Sequence, residues 1–376
     1  MKQIAIVMNT DRVGGAERSQ ILQFKAEANV QLTFFIPQVS GSKDLEYFIL
    51  ENLNAKIQYY QYPSSVYQLS RAKKGISLSF IIASLSLLVK ADLNMSSFDI
   101  VYLNGNKAAF YYFLSHLFKK NKKIIWHLRD YFSESNLLKL VWNILILKYK
   151  KQIKFISNSI SVANNLKSVF SSNIDYEVIY NPSGLIKNSQ MKKKFETLGF
   201  VSMMAPWKGV HDVYFFAWFY ESELKALGIK KIRLYGDNVY ETKGDHSTYK
   251  NDLKKMIEKM PTDLIEFAGL KKPEAIYSEI DCLIHYSISP EPFGRVIVEA
   301  FANSVPVITT GLGGAGEIIE NGVTGFKTIL YDRQDLYEKI QMLKDENVRE
   351  MITKNGLEKI ICMEKEIDKK MQNILE

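Results

Sequence analysis

Short apolar runs recur along the first half of the chain at Ile4–Met8, Leu32–Ile36, Ile100–Leu103, Ile124–Trp126, Phe155–Ser157 and Val178–Tyr180, with longer segments of mainly helical pattern between them. Runs this short, bounded by turns, are buried strands, and strands alternating with helices form a parallel, doubly wound sheet. The series breaks at the turn Asn181-Pro182-Ser183-Gly184 and the polar, lysine-rich stretch Lys187–Lys194. It then restarts with Phe200–Met204, Ile232–Tyr235, Ile265–Ala268, Cys282–His285 and Val305–Thr309. A chain of 376 residues is longer than one core commonly sustains. The expectation is therefore two Rossmann-like α/β domains, 1–184 and 185–355, and a helical tail, 356–376, packing back on the first. Ligands of such sheets meet the carboxyl ends of the strands, here in a cleft between the two domains.

Two segments are more apolar than strand alternation needs: Ile76–Val89, between Lys73-Lys74 and Lys90, and Leu137–Leu147, before Lys148, Lys150 and Lys151. Both are too short to span a bilayer as helices. They are either buried helices or surfaces that dip into a membrane interface. Charge bears on the choice, because the net +8 is unevenly placed. Residues 1–184 carry 22 Lys and Arg against 12 Asp and Glu, whereas residues 185–376 carry 27 against 29. A basic half suits an anionic partner, either nucleic acid or an acidic membrane leaflet. No helix-turn-helix, RNP or zinc pattern accompanies it, which sets nucleic acid aside and leaves an anionic membrane surface as the expected partner. Two cysteines, Cys282 and Cys362, suggest neither a disulfide framework nor a metal site. The chain runs at once into its first strand with no room for a signal peptide, so the expected setting is cytoplasmic, peripheral on the inner face of the cytoplasmic membrane.

The chemistry concentrates in Pro290-Glu291-Pro292-Phe293-Gly294-Arg295-Val296-Ile297-Val298-Glu299-Ala300. Glu291 precedes a helix expected over Arg295–Asn303, and Glu299 lies inside it, with seven residues between the two. A helix N-terminus behind a glycine offers bare amides and a partial positive charge to an anion, and a carboxylate can accept from two hydroxyls of a sugar diol.

In these residues the sequence resembles the family 4 glycosyltransferases, whose signature is a Glu, seven residues, Glu motif written around Glu-Pro-Phe-Gly. Asp281, the continuation Ala300…Pro306-Val307-Ile308 and the run Gly313-Gly314…Glu317…Asn321-Gly322…Gly325-Phe326 also match. The resemblance implies a GT-B fold and a retaining, metal-independent transferase acting in bacterial surface polysaccharide assembly. It would take a nucleotide-sugar donor and a glycan or polyprenyl-linked acceptor, without a cofactor. It places Glu291 at the transferred sugar, Glu299 at the donor ribose, and the amides of Phe293 and Gly294 at sugar hydroxyls or phosphate. Arg295 is either a partner of Glu299 on the helix surface or a phosphate contact.

Pro206-Trp207-Lys208-Gly209 looks like the family loop whose basic residue meets the donor diphosphate, which makes Lys208 the cation on the leaving group. Many relatives carry a Gly-Arg pair just upstream, where this chain has Ser202-Met203. Gly14-Gly15 matches a glycine turn near the donor phosphates and acceptor, and it lacks the G-x-G-x-x-G spacing of a dinucleotide fingerprint. At Trp126-His127-Leu128-Arg129-Asp130, relatives place a His-Asp pair; alignment on Asp130 puts Arg129 at the histidine position, while His127 lies on the same strand face. Either is a catalytic candidate. Asn104-Gly105-Asn106, Gly236-Asp237 and Gly269 are positional candidates at strand ends. The competing activities on such an architecture are a nucleotide-sugar epimerase and a phosphorylase.

Overall fold

A computed structural model describes residues 1–25, 27, 29–61, 93–116, 122–132, 136–170, 174–184, 192–236 and 249–376. The apolar segment Ile76–Val89 with its flanking lysines, Asp237, and residues 187–191 of the lysine-rich stretch lie outside them. Two compact units emerge: Met1–Pro182 together with Glu366–Glu376, and Ser183–Lys365.

The first unit is built on seven parallel strands, β1 (Lys2–Val7), β2 (Val30–Gln38), β3 (Ala55–Gln61), β4 (Ile100–Asn104), β5 (Lys123–Leu128), β6 (Ile153–Ser157) and β7 (Tyr176–Val178), in the order β3-β2-β1-β4-β5-β6-β7. Its central strands are buried on both faces, which is why they read as unbroken apolar runs rather than alternating ones. Trp126 of β5 anchors one side, with the rings of Trp142, Phe113, Phe155 and Phe132 around it at centroid distances of 5.0–5.7 Å. The edge strand β3 is absent from the apolar pattern because most of its side chains are exposed or half-buried. Its Tyr60 is buried and donates to the Met8 carbonyl at 2.6 Å. The last strand, Tyr176–Val178, ends on the first residue of the apolar run that suggested it, two residues before that run ends.

The second unit repeats the plan with six parallel strands, β8 (Thr197–Val201), β9 (Lys231–Tyr235), β10 (Ile265–Gly269), β11 (Cys282–His285), β12 (Val307–Thr309) and β13 (Phe326–Lys327), in the order β10-β9-β8-β11-β12-β13. In both sheets the order reverses beside the first strand, the switch point at which doubly wound sheets bind ligands. The strand expected at Phe200–Met204 is shifted toward the N-terminus. The Asp281 carboxylate accepts from the Glu196 and Thr197 amides at 2.9 Å and fixes the start of β8. At its other end Gly236, with φ 134°, lies so close to the Ser202 carbonyl that a Cβ would come within 1.8 Å. Ser202–Ala205 is consequently a loop, and it carries the chain toward Lys208.

The chain closes with the helix Glu346–Leu375, which begins in the second unit and ends in the first. Gly356 interrupts its side chains where a Cβ would lie 2.9 Å from the Phe301 ring. Near the end, Lys370 donates to the Val178 carbonyl at 3.0 Å.

Candidate active site

In the second unit, three strand ends deliver one polar cluster. After β8 the chain makes a single 3₁₀ turn, Pro206–Lys208, closed by Gly209 at φ 72°. Only glycine fits there, since a Cβ would stand 2.1 Å from the Tyr286 carbonyl. The Trp207 carbonyl accepts from the Ile288 amide at 2.9 Å, which ties this loop to the one after β11. Lys208 Nζ thereby rests on Glu291 Oε1 at 2.5 Å. The same oxygen accepts from His285 Nε2 at 3.0 Å and from the Ser287 hydroxyl.

Thr309, at the end of β12, orients the histidine. Its hydroxyl accepts from the Gly311 amide at 3.0 Å and is hydrogen-bonded to His285 Nδ1 at 2.9 Å, which turns the Nε2 edge of the ring toward Glu291. The Glu291 backbone is clamped too, donating to the Leu312 carbonyl at 3.2 Å and accepting from the Gly314 amide at 2.7 Å. Burial alone would raise the Glu291 pKa. The charges and hydrogen bonds of His285 and Lys208 outweigh it and hold the carboxyl well below the usual range. Glu291 is an ionised, buried carboxylate with a fixed orientation.

Gly294, at φ 95°, caps the helix Arg295–Ala302 where a Cβ would press on Ala315 Cβ at 3.2 Å, and Phe293 is buried beside it. One turn into that helix Glu299 is also buried. Arg295 donates to Glu299 Oε1 from Nε at 3.0 Å and from Nη2 at 2.7 Å, and Tyr277 donates to Oε2 at 3.1 Å. Burial, reinforced by the Glu299 charge, pushes the Tyr277 phenol well above its ordinary pKa. Arg295 thus pairs with Glu299 across one turn of the helix.

The first unit holds Gly14, Gly15, His127 and Arg129. Gly14 caps the helix Gly15–Gln23 and donates to Glu17 Oε2 at 3.1 Å, and a Cβ on Gly14 would come within 2.7 Å of that oxygen. Burial raises the Glu17 pKa against the pull of Arg129. Arg129 is buried among amide oxygens, donating to Asn104 at 2.6 Å and to Asn181, Gln20 and Gln23 at 2.7 Å. His127 lies beside it, its Nδ1 accepting from Arg129 Nη2 at 3.2 Å and from the Tyr102 hydroxyl at 2.6 Å. The ring proton therefore sits on Nε2, which is buried and has no hydrogen-bond partner among the described residues. Burial, then the Arg129 charge, depresses the His127 pKa well below its ordinary value and keeps the ring neutral. Asn104 ends β4 as the positional reading had it, and Gly105 follows at φ 87°.

His285, Ser287, Thr309 and Tyr277 escaped the sequence reading. For the first two a signal was present: residues 285 and 287 alternate at the end of β11, directly before Pro290-Glu291, and alternate positions share a face. Thr309, Tyr277 and the amides around Arg129 are joined to their partners only by folding.

Residues 185–359 match the family model described as glycosyl transferases group 1. Among curated proteins, the chain is 26% identical over 187 residues to the capsular polysaccharide biosynthesis glycosyltransferase CapM of Staphylococcus aureus, covering 46% of each. It is 30% identical over 204 residues to an uncharacterized glycosyltransferase of Methanocaldococcus jannaschii, covering 53% of each. The matched stretches thus span about half the length of these relatives. Among solved structures, Anabaena HepE in complex with UDP and glucose superposes with a TM-score of 0.76 at 20% identity, covering 100% of this chain and 99% of that one. TarM of S. aureus gives 0.70 at 14% identity, with 100% and 99% covered.

Proposed function

We propose that this chain, a GT-B protein whose residues 185–359 form a group 1 glycosyltransferase domain, moves a sugar from a nucleoside diphosphate donor to a glycan or polyprenyl-linked acceptor with retention at the anomeric carbon. The observation that carries the proposal is the convergence of Lys208, His285 and Ser287 on one oxygen of an ionised Glu291, beside the glycine-capped helix Arg295–Ala302.

In the reaction, the bond from the anomeric carbon to the diphosphate breaks, a bond to the acceptor oxygen forms, and the acceptor proton passes to the departing diphosphate. Negative charge grows on the departing diphosphate. In this reading Lys208 and the amides following Gly294 stabilise that charge as a cation and a helix N-terminus do, in place of a divalent metal. Glu291, kept anionic and aligned by His285 and Lys208, accepts from a hydroxyl of the transferred sugar. Glu299, braced by Arg295 and Tyr277, accepts from the ribose diol. His127 and Arg129 supply the polar end of the first unit's sheet, where the acceptor is received.

The name of CapM supports a surface polysaccharide as the product, and the UDP and glucose bound to HepE make UDP-sugars the first donors to try. The test is a panel of nucleotide sugars scored by thermal stabilisation, followed by product analysis with the best donor, since selective binding raises apparent stability. Transfer to a glycan or lipid-linked acceptor with the donor's anomeric configuration supports the proposal. An epimerised nucleotide sugar, or a sugar phosphate released by inorganic phosphate, would replace it with one of the competing activities.

A further inference from the structure

The helix Asn136–Tyr149 is apolar on two opposite sides. Trp142, Leu145, Ile146 and Tyr149 face inward and are buried in the first unit's core. The opposite side presents Leu140, Ile144 and Leu147, which are 57%, 59% and 72% exposed. Spaced four and three residues apart, these three form one continuous aliphatic stripe. Exposed Lys148 lies in the last turn of the helix, and exposed Lys150 and Lys151 follow it. The surrounding sequence has a single sign: residues 135–174 contain six lysines and no Asp or Glu.

We propose that this outward face docks the protein on an anionic lipid bilayer, with Leu140, Ile144 and Leu147 dipping into the acyl boundary and Lys148, Lys150 and Lys151 on lipid headgroups. The combination selects the partner. Nucleic acid would take the lysines but has nothing to cover an aliphatic stripe, and anchor residues at protein interfaces are chiefly Trp, Tyr and Arg. A bilayer surface meets both halves of the pattern, an apolar stripe and a rim of cations. Among the described residues no helix is long and apolar enough to cross a membrane, so this one lies along the interface. The proposal rests on the helix and its charges alone, and stands independently of the transfer reaction.

The test is vesicle sedimentation of the full chain, with phosphatidylcholine vesicles or vesicles containing about one-third phosphatidylglycerol. Binding is expected to the acidic vesicles only, and to fall steeply as salt rises from roughly 0.05 to 0.5 M. Replacing Lys148, Lys150 and Lys151 with glutamine removes roughly fivefold in affinity per lysine, about a hundredfold together. Leu140→Gln, Ile144→Gln and Leu147→Gln combined abolish sedimentation while leaving the circular dichroism spectrum and nucleotide binding unchanged, because those side chains face outward. The proposal is overturned by equal binding to both vesicle types, by binding to neither, or by an apolar triple variant that sediments like its parent. A dimer in sedimentation equilibrium that the same triple variant dissolves, without vesicle binding by the parent, would instead assign the stripe to a second copy of the chain.

Discussion

Replacing Lys208 with alanine tests the structural role seen in its ion pair separately from the catalytic role proposed for it. Lys208 contacts a carboxylate that is almost wholly buried. Stripping the only partner from a buried ion costs about 3–5 kcal/mol. Glu291, however, keeps the His285 Nε2 proton and the Ser287 hydroxyl. The expected loss is therefore nearer that of one hydrogen bond to a charged group, about 1.5–3 kcal/mol. For a unit of this size that lowers the thermal midpoint by roughly 3–12 °C, and the assay is run below the lowered midpoint. Loss of a preorganised charge stabiliser at the departing diphosphate costs about 2.7–4 kcal/mol, a hundredfold to a thousandfold in turnover.

The assay is release of nucleoside diphosphate from the donor, run on parent and variant at matched temperature below both midpoints, with and without chelator. Turnover should fall a hundredfold or more, with KM for the donor moving far less, because the ammonium is needed most when charge has developed. Lys208→Arg should recover only part, since a planar guanidinium does not replace a point charge held at the end of a 3₁₀ turn. Chelation should leave the parent's rate unchanged. A Lys208→Ala protein whose turnover stays within a few-fold of the parent would refute the assignment, as would a parent silenced by chelator and revived by magnesium.

Glu299→Ala should weaken binding of the free nucleoside diphosphate tenfold to a hundredfold by calorimetry, the loss of roughly 1.5–3 kcal/mol, and unchanged affinity would remove Glu299 from the donor site. Glu291 gives an acid signature: its folded pKa is depressed, so its contribution is complete above the unfolded value of about 4.3 and is lost as pH falls through the folded one. The stability gap between the parent and Glu291→Gln should accordingly narrow below about pH 4 in chemical denaturation. His127 is held neutral, so below its unfolded pKa of about 6.5 the unfolded chain binds a proton that the folded ring does not. Parent stability should decline on acidification by up to about 1.4 kcal/mol per pH unit from this group, and His127→Asn should flatten that slope; an identical slope would mean the ring protonates in place.

Much of this architecture is legible in the sequence because a parallel sheet covered on both faces needs strands without polar interruption. β1, β4 and β11 announce themselves that way. The same physics hides β3, an edge strand that buries Tyr60 but leaves most of its length at the surface, and β13, which is two residues long. It also misplaces β8, whose ends are set by contacts with Asp281 and Gly236, both remote in sequence. Leu137–Leu147 shows the limit from the other side. Its composition is compatible with a core helix and with a membrane-facing one, and only the folded helix separates a covered stripe from an exposed one.

At the candidate site the same division falls between identity and state. Glu291, Glu299, Gly294 and Lys208 stand out in the sequence through the family resemblance that their motifs carry. What those groups do to one another is set by strand order. Lys208 and Glu291 are 83 residues apart, and they meet because β8 and β11 are neighbours in the sheet. His285 and Thr309 meet for the same reason across β11 and β12. The ionisation of Glu291 depends on His285, six residues before it, and on Lys208, which only the sheet brings near. Arg129 and His127 make the complementary case. Two residues that rival each other in an alignment prove to be hydrogen-bonded neighbours, with burial first and then the charge of Arg129 holding His127 neutral, and neither can be assigned a role without the other.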